Sequence, residues 1–134
     1  MTTPLLDEIP IQTETDIVLV RQAVRARVVA LGFGLVDQTK TITAVSELAR
    51  NTLIYGGGGV TRMETLQNGP RRGLRVTFED SGPGIADIEL ALKDGYTTGH
   101  GLGLGLSGAR RLVNDFSIES RVGEGTRVII TKWK

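Results

Sequence analysis

The chain has 134 residues, 40% hydrophobic and 23% charged, with a formal net charge of +1 and no cysteine. This length and composition predict a single globular domain spanning residues 1–134, and the low charge argues against binding to nucleic acid or to an anionic membrane. Without cysteine there are no disulfides or thiolate metal sites, and no apolar run is long enough to cross a bilayer, so a cytoplasmic protein is expected.

The chain begins with a predicted strand and an amphipathic helix. Residues 9–11 alternate apolar and polar side chains, and Pro10 places this strand at a sheet edge because proline has no N–H to donate. Thr15 or Asp16 is positioned to cap the helix that follows. Its apolar residues recur at helical spacing over residues 17–31, so one face of this helix is expected to be buried.

A second helix is predicted from about Asp37 to the four glycines at Gly56–Gly59. Glu47 and Asn51 lie on it four residues apart, so both side chains share one face, one turn apart. A carboxylate there could polarise a hydroxyl while the amide oxygen ligates magnesium. Taken alone, the pair also fits a solvated helix surface.

The second half of the chain predicts two hairpins separated by a glycine-rich stretch and a helix, which indicates an α+β fold. The predicted strands cover residues 60–66, 74–79, 118–122 and 127–133, and the helix covers residues 106–116.

Asp80-Ser81-Gly82-Pro83-Gly84 follows the predicted strand 74–79. A carboxylate at the end of a strand, followed by Gly82 and Gly84, lets a ligand approach the backbone closely. The same composition is typical of a plain turn, so this segment is not diagnostic alone.

Gly101, Gly103 and Gly105 precede the predicted helix 106–116, where free amides could face phosphate oxygens. A surface loop is the alternative reading. The glycines also match the dinucleotide-binding pattern G-x-G-x-x-G, but no strand precedes them and they do not open a βαβ unit, which argues against that site.

The three segments occur in an order that resembles a known family. Residues 47–51, 80–84 and 101–105 are similar to the three ATP boxes of the GHKL family, the Bergerat-fold ATPases and kinases. The stretch 31–38 is similar to the branch of that family formed by the switch kinases of the stressosome. The resemblance implies a two-layer α/β sandwich, with helices on one face of a mixed, mostly antiparallel sheet and ATP between the layers.

The resemblance also implies roles for individual residues. Glu47 would be the general base that helps a serine or threonine hydroxyl attack the γ-phosphate. The implied nucleotide and magnesium ligands are Asn51 for the metal, Asp80 for the adenine amino group, Gly82, Gly84 and Thr126 for the adenine pocket, and Gly101, Gly103 and Gly105 for the phosphates. Residues 86–100 would form the lid, and His100 within it is read as solvent-facing rather than as a metal ligand.

In function, the resemblance implies a serine/threonine-protein kinase that uses ATP and magnesium. Its substrates would be STAS-domain scaffold or antagonist proteins of a stressosome, and after release it would bind and activate a PPM-type phosphatase. One alternative is a non-catalytic, nucleotide-dependent module that sequesters a sigma factor or its antagonist. Another is a scaffold protein without ATP affinity.

Overall fold

The computed structural model describes residues 6–93 and 105–134. Five strands and four helices occur there, in the order β1 (Leu6–Ile11), α1 (Glu14–Ala30), α2 (Leu35–Ile54), β2 (Gly59–Asn68), β3 (Arg71–Asp80), α3 (Ile88–Ala91), α4 (Gly105–Arg111), β4 (Asp115–Arg121) and β5 (Gly125–Trp133).

The strands form one sheet in the order β1-β2-β3-β5-β4. Every pairing among the described strands is antiparallel, so the prediction of a mixed sheet is corrected. The two-layer α+β prediction is confirmed, with the helices on one face. As predicted from Pro10, β1 is an edge strand that pairs with β2.

The cap of α1 differs from the prediction. Thr13, rather than Thr15 or Asp16, is the N-cap, and its hydroxyl accepts a hydrogen bond from the Asp16 N–H. The Asp16 carboxylate accepts hydrogen bonds from the N–H groups of Gln12 and Thr13, which lowers the pKa of Asp16. Asp16 therefore completes a capping box from the first turn of the helix.

Two predicted helix boundaries also move. Helix α2 begins at Leu35, two residues before Asp37. Helix α4 ends at Arg111, so the predicted helix over 112–116 is wrong, and Phe116 belongs to β4 instead. The reason is Asn114, whose N–H donates to the Thr131 carbonyl (3.0 Å) and whose Oδ1 accepts from the Trp133 N–H (2.8 Å), which binds this segment to β5.

One face of the sheet packs against α1 and α2. Because side chains alternate along a strand, every second residue of the central strands enters this core. Its fully buried members include Val20, Val24 and Val28 from α1, Val45 and Leu48 from α2, and Met63, Leu74, Val76, Phe78 and Ile130 from the sheet.

The other face of the sheet, which we call the open face, carries a row of alternating charges. One residue from each strand, in sheet order, contributes to this charge ladder: Glu8, Arg62, Glu79, Arg127 and Glu119. The N–O distances along it are 3.1, 2.8, 3.5 and 4.0 Å. The ladder is part-exposed, so each pair contributes little alone, although the pairs share partners and act as a network.

Candidate functional site

A cavity of about 220 Å³ opens between α2, α4 and the end of the sheet at which β3 terminates. Its walls include Leu48, Phe78 and Val128, which suit a flat apolar ring. Six residues predicted for the site line it together: Glu47, Asn51, Asp80, Gly84, Gly105 and Thr126. The volume is below the ~300–1,000 Å³ of pockets that enclose a drug-sized molecule, so it matches a nucleobase better than a whole nucleotide.

Asp80 is the last residue of β3 and points into this cavity. Burial raises the pKa of its carboxyl above the ordinary value of 3.8, and hydrogen bonds from the backbone N–H groups of Gly82 and Thr126 oppose that shift. The Gly82 bond measures 2.9 Å to Oδ1. Asp80 therefore presents a partly desolvated acceptor that the backbone holds in place.

Glycines surround Asp80 because the backbones approach too closely for side chains. A Cβ atom at Gly56 would overlap the Asp80 carboxylate, and one at Gly82 would lie 2.7 Å from the Gly56 carbonyl oxygen. Gly84 combines a positive φ of 76° with a similar overlap against the Arg121 carbonyl. The sequence pattern predicted Gly56 only as a helix stop, and the close approach of this residue to Asp80 was not predicted.

Ser120 joins the strands around the cavity and was also missed. It lies opposite Thr126 in the pairing of β4 with β5, and their hydroxyl oxygens are 2.7 Å apart. Ser120 Oγ also accepts a hydrogen bond from the Ile85 N–H (2.7 Å), just after Gly84. The pairing with Thr126 could have been found from strand register, had the β4–β5 turn been placed correctly.

Glu47 and Asn51 share one face of α2, as their spacing predicted, and both line the cavity. A Glu47 carboxylate oxygen, Oε1, accepts a hydrogen bond of 3.0 Å from the Gly105 N–H at the start of α4. The pair is therefore a cavity wall rather than a solvated helix surface.

Part of the predicted site lies outside the described residues, namely Gly101, Gly103, His100 and the lid from residue 94 onward. Within the described part of the lid, Asp87 caps the short helix α3 by accepting a hydrogen bond from the Leu90 N–H.

The cavity offers oxygen atoms of the kind that magnesium takes as ligands. Residues 6–93 and 105–134 contain no group of three or more His, Cys, Asp or Glu side chains placed to hold a metal. Asn51 and Glu47 nevertheless bring oxygen atoms to one wall of the cavity. Magnesium commonly takes one or two protein ligands and completes its coordination with water and phosphate oxygens.

No helix in the described part of the chain is long and apolar enough to span a bilayer.

Comparison with known proteins identifies relatives over nearly the whole chain. The family model for the histidine kinase-, DNA gyrase B- and HSP90-like ATPases matches residues 36–134. The serine/threonine-protein kinase RsbT of Bacillus subtilis (strain 168) is 47% identical over 123 residues, which cover 92% of each chain. An anti-sigma F factor of Clostridium kluyveri is 33% identical over 118 residues, covering 84% of this chain and 82% of that protein.

Solved structures share the fold at lower identity. The RsbU and RsbW domains of a Mycobacterium tuberculosis protein align with a TM-score of 0.66 and 21% identity, covering 98% of this chain and 32% of that longer chain. The mycobacterial sensor histidine kinase MprB aligns with a TM-score of 0.57 and 19% identity, covering 96% and 97% of the two chains.

Proposed function

We propose that this chain, which belongs to the histidine kinase-, DNA gyrase B- and HSP90-like ATPase family, transfers the γ-phosphate of ATP to serine or threonine residues of STAS-domain stressosome proteins. Within that family it belongs to the group of the serine/threonine-protein kinase RsbT. The observation that carries this proposal is that Glu47 and Asn51 line the same cavity as Asp80 and Thr126. Residues that we assign to the base and residues that we assign to phosphoryl transfer therefore border the same cavity.

In this proposal, the adenine lies between Leu48 and Val128, and its 6-amino group donates a hydrogen bond to Asp80. The γ-phosphate then lies near the start of α4, beside Glu47. Because Glu47 Oε1 accepts the Gly105 N–H, the second oxygen, Oε2, accepts the proton of the attacking hydroxyl. Phosphoryl transfer needs little covalent chemistry from the protein, so orientation of the hydroxyl and the phosphate supplies most of the rate.

Asn51 would hold magnesium together with the phosphates, and the metal would supply neutralisation of the charge on the transferred group. Gly101 and Gly103 would provide backbone N–H groups to the same phosphates, while the Gly105 N–H holds Glu47. The proposal places the protein in the cytoplasm, where ATP and its partners are available.

After phosphorylating its substrate, the kinase would leave the stressosome and activate a PPM-type phosphatase. The similarity to RsbT over 92% of both chains supports a switch between partners of this kind.

The test is transfer of labelled phosphate from γ-labelled ATP to a purified STAS-domain protein, with the modified residue located by mass spectrometry. We expect phosphoserine or phosphothreonine that depends on magnesium, and a large loss of transfer in Asn51→Ala. A pull-down of the phosphatase before and after the reaction tests the second step. ATP binding without any phosphorylated product would contradict the kinase proposal.

An anti-sigma module is the second candidate, because the relative from Clostridium kluyveri is 33% identical over most of this chain. This candidate predicts ATP-dependent capture of a sigma factor and no capture of the phosphatase. A parallel pull-down with the two partners therefore separates it from the kinase proposal.

A further inference from the structure

Ser120 lies beside the cavity but does not line it, and its hydroxyl meets three polar groups at once. Ser120 Oγ is 2.7 Å from the Ile85 N–H nitrogen, 3.1 Å from the Gly125 carbonyl oxygen and 2.7 Å from Thr126 Oγ1. Thr126 lines the cavity and pairs with Asp80 across β3 and β5. The orientation of the Thr126 hydroxyl is therefore decided by a residue behind the cavity wall.

The direction of these hydrogen bonds follows from counting protons. A hydroxyl has one hydrogen and two lone pairs. The Ile85 N–H can only donate and the Gly125 carbonyl can only accept, so Ser120 gives its one proton to Gly125. The contact with Thr126 is then satisfied only if Thr126 donates to Ser120. All three contacts are made in this arrangement alone, and it leaves Thr126 Oγ1 with nothing but lone pairs for a ligand.

We propose that Ser120 is a specificity-determining positioning residue, which fixes the Thr126 hydroxyl as a hydrogen-bond acceptor and so selects a purine with a 6-amino group over one with a 6-oxo group. This inference rests on the proposed function, because it takes the cavity to hold the base of the phosphate donor.

The selection arises because two acceptors stand side by side. Residues opposite each other on antiparallel strands have Cβ atoms about 4.5–5.5 Å apart, so Asp80 and Thr126 are spaced to contact the substituent at position 6 of the base from its two sides. The two hydrogens of a 6-amino group satisfy both oxygens. A 6-oxo group brings a third acceptor against them, and buried polar groups left without partners are a strong source of discrimination.

The test measures dissociation constants for ATP and GTP by calorimetry in the parent protein and in Ser120→Ala, Ser120→Thr and Ser117→Ala. In Ser120→Ala the Thr126 proton is released and becomes available to a 6-oxo group, so the preference for ATP should fall about tenfold. Ser120→Thr keeps the hydroxyl and should keep the preference. Ser117 lies on the same strand and is exposed, so its alanine variant is the matched control.

A double-mutant cycle shows whether Ser120 acts through Thr126. In a Thr126→Val background the preference should already be reduced, and adding Ser120→Ala should not reduce it further. If Ser120→Ala does not fold, Thr126→Val and Thr126→Ser replace it, with the preference lost in the first and kept in the second.

Equal weakening of ATP and GTP binding in Ser120→Ala would overturn the inference, because it would mean a purely structural role. A parent that binds neither nucleotide would overturn the proposed function as well, whereas a parent that binds ATP with an unchanged preference in the variants would overturn this inference alone.

Discussion

Glu79 and Asp80 are neighbours at the end of β3, yet their carboxyl groups lie on opposite faces of the sheet and their pKa values are shifted in opposite directions. Glu79 joins the charge ladder on the open face, where the Arg62 guanidinium lowers its pKa and Arg127 adds to the effect. Asp80 points into the cavity, where burial raises its pKa.

Glu79 and Asp80 illustrate two different roles of a carboxylate. On the open face, each carboxylate of the charge ladder is paired with an arginine, so these carboxylates stabilise the sheet. In the cavity, Asp80 and Glu47 receive hydrogen bonds from backbone N–H groups, at Gly82 and Gly105, and keep lone pairs directed at the space for a ligand. We therefore expect substitutions in the cavity to change function and substitutions on the open face to change stability.

The largest expected effect is on phosphoryl transfer in Glu47→Gln. The glutamine oxygen can still accept the Gly105 N–H, but the side chain no longer accepts a proton, so the transfer rate should fall about 10²–10⁴-fold. ATP affinity and stability should stay close to those of the parent. Single-turnover transfer of labelled phosphate and calorimetry measure the two quantities. Glu119→Gln on the open face is the matched control, and an equal loss in both variants would refute the assignment of the base.

The next effect is on nucleotide affinity in Asp80→Asn. Loss of a charged acceptor for the amino group of the base should weaken ATP binding about 10–100-fold. The asparagine Oδ1 can still accept the Gly82 N–H, so the fold should persist.

The same variant, Asp80→Asn, removes a charge that burial disfavours, and this removal should favour the folded state although ATP binding weakens. The folded-state pKa of Asp80 is raised, so its ionised form destabilises the fold above that pKa. Relative to the parent, Asp80→Asn should therefore gain stability as pH rises through the raised pKa and lose that gain as pH falls through it. The hydrogen bond from the Thr126 N–H is weakened in the variant at every pH, which is a separate and constant cost. Urea unfolding between pH 7 and pH 3 measures this, and a stability difference that does not increase with pH would contradict the burial argument.

Gly56→Ala should disturb the cavity without removing a polar group. The added methyl overlaps the Asp80 carboxylate, so ATP binding should weaken about tenfold and stability should fall by about 1–3 kcal/mol. Gly34→Ala is the control, because neither a positive φ nor a neighbour within 4 Å restricts that position. Calorimetry and urea unfolding of both variants should separate them, and similar losses in the two would contradict the steric argument.

The smallest effect is expected in Glu79→Gln, which removes the same charge as Asp80→Asn from the adjacent residue. The folded-state pKa of Glu79 is lowered, so its contribution is present at neutral pH and is lost as pH falls below 4.5 through that lowered pKa. Stability at pH 7 should drop by about 0.2–1 kcal/mol, less in high salt, with ATP affinity unchanged. Opposite slopes against pH in the two variants would confirm the comparison, and parallel slopes would contradict it.

Much of the fold and of the site could be predicted from sequence because local patterns carried the information. Alternation identified β3, helical spacing placed Glu47 and Asn51 on one face, and Pro10 indicated an edge strand. The helix predicted through Phe116 failed because apolar residues at helical spacing also occur where a short helix meets a half-buried edge strand. The bonds that join Asn114 to β5 are tertiary contacts, which a local pattern does not reveal.

Ser120 and Gly56 were missed for a related reason. A serine in a strand has no distinctive local pattern, and its importance depends on the register that sets it opposite Thr126. A glycine after a helix is explained by helix termination alone, although Gly56 has no positive φ and is required for space. Both roles are defined by contacts between distant segments.

The charge ladder gives the two faces of the sheet different responses to temperature. The cost of desolvating charged groups falls as temperature rises, while hydrophobic stabilisation per unit area reaches a plateau. The apolar face therefore dominates the stability of the sheet at moderate temperatures, and the relative contribution of the charge ladder to stability grows on heating. Because the ladder crosses all five strands next to Asp80, the end of the sheet that forms the cavity keeps more of its stabilisation on heating than the apolar face alone would give it.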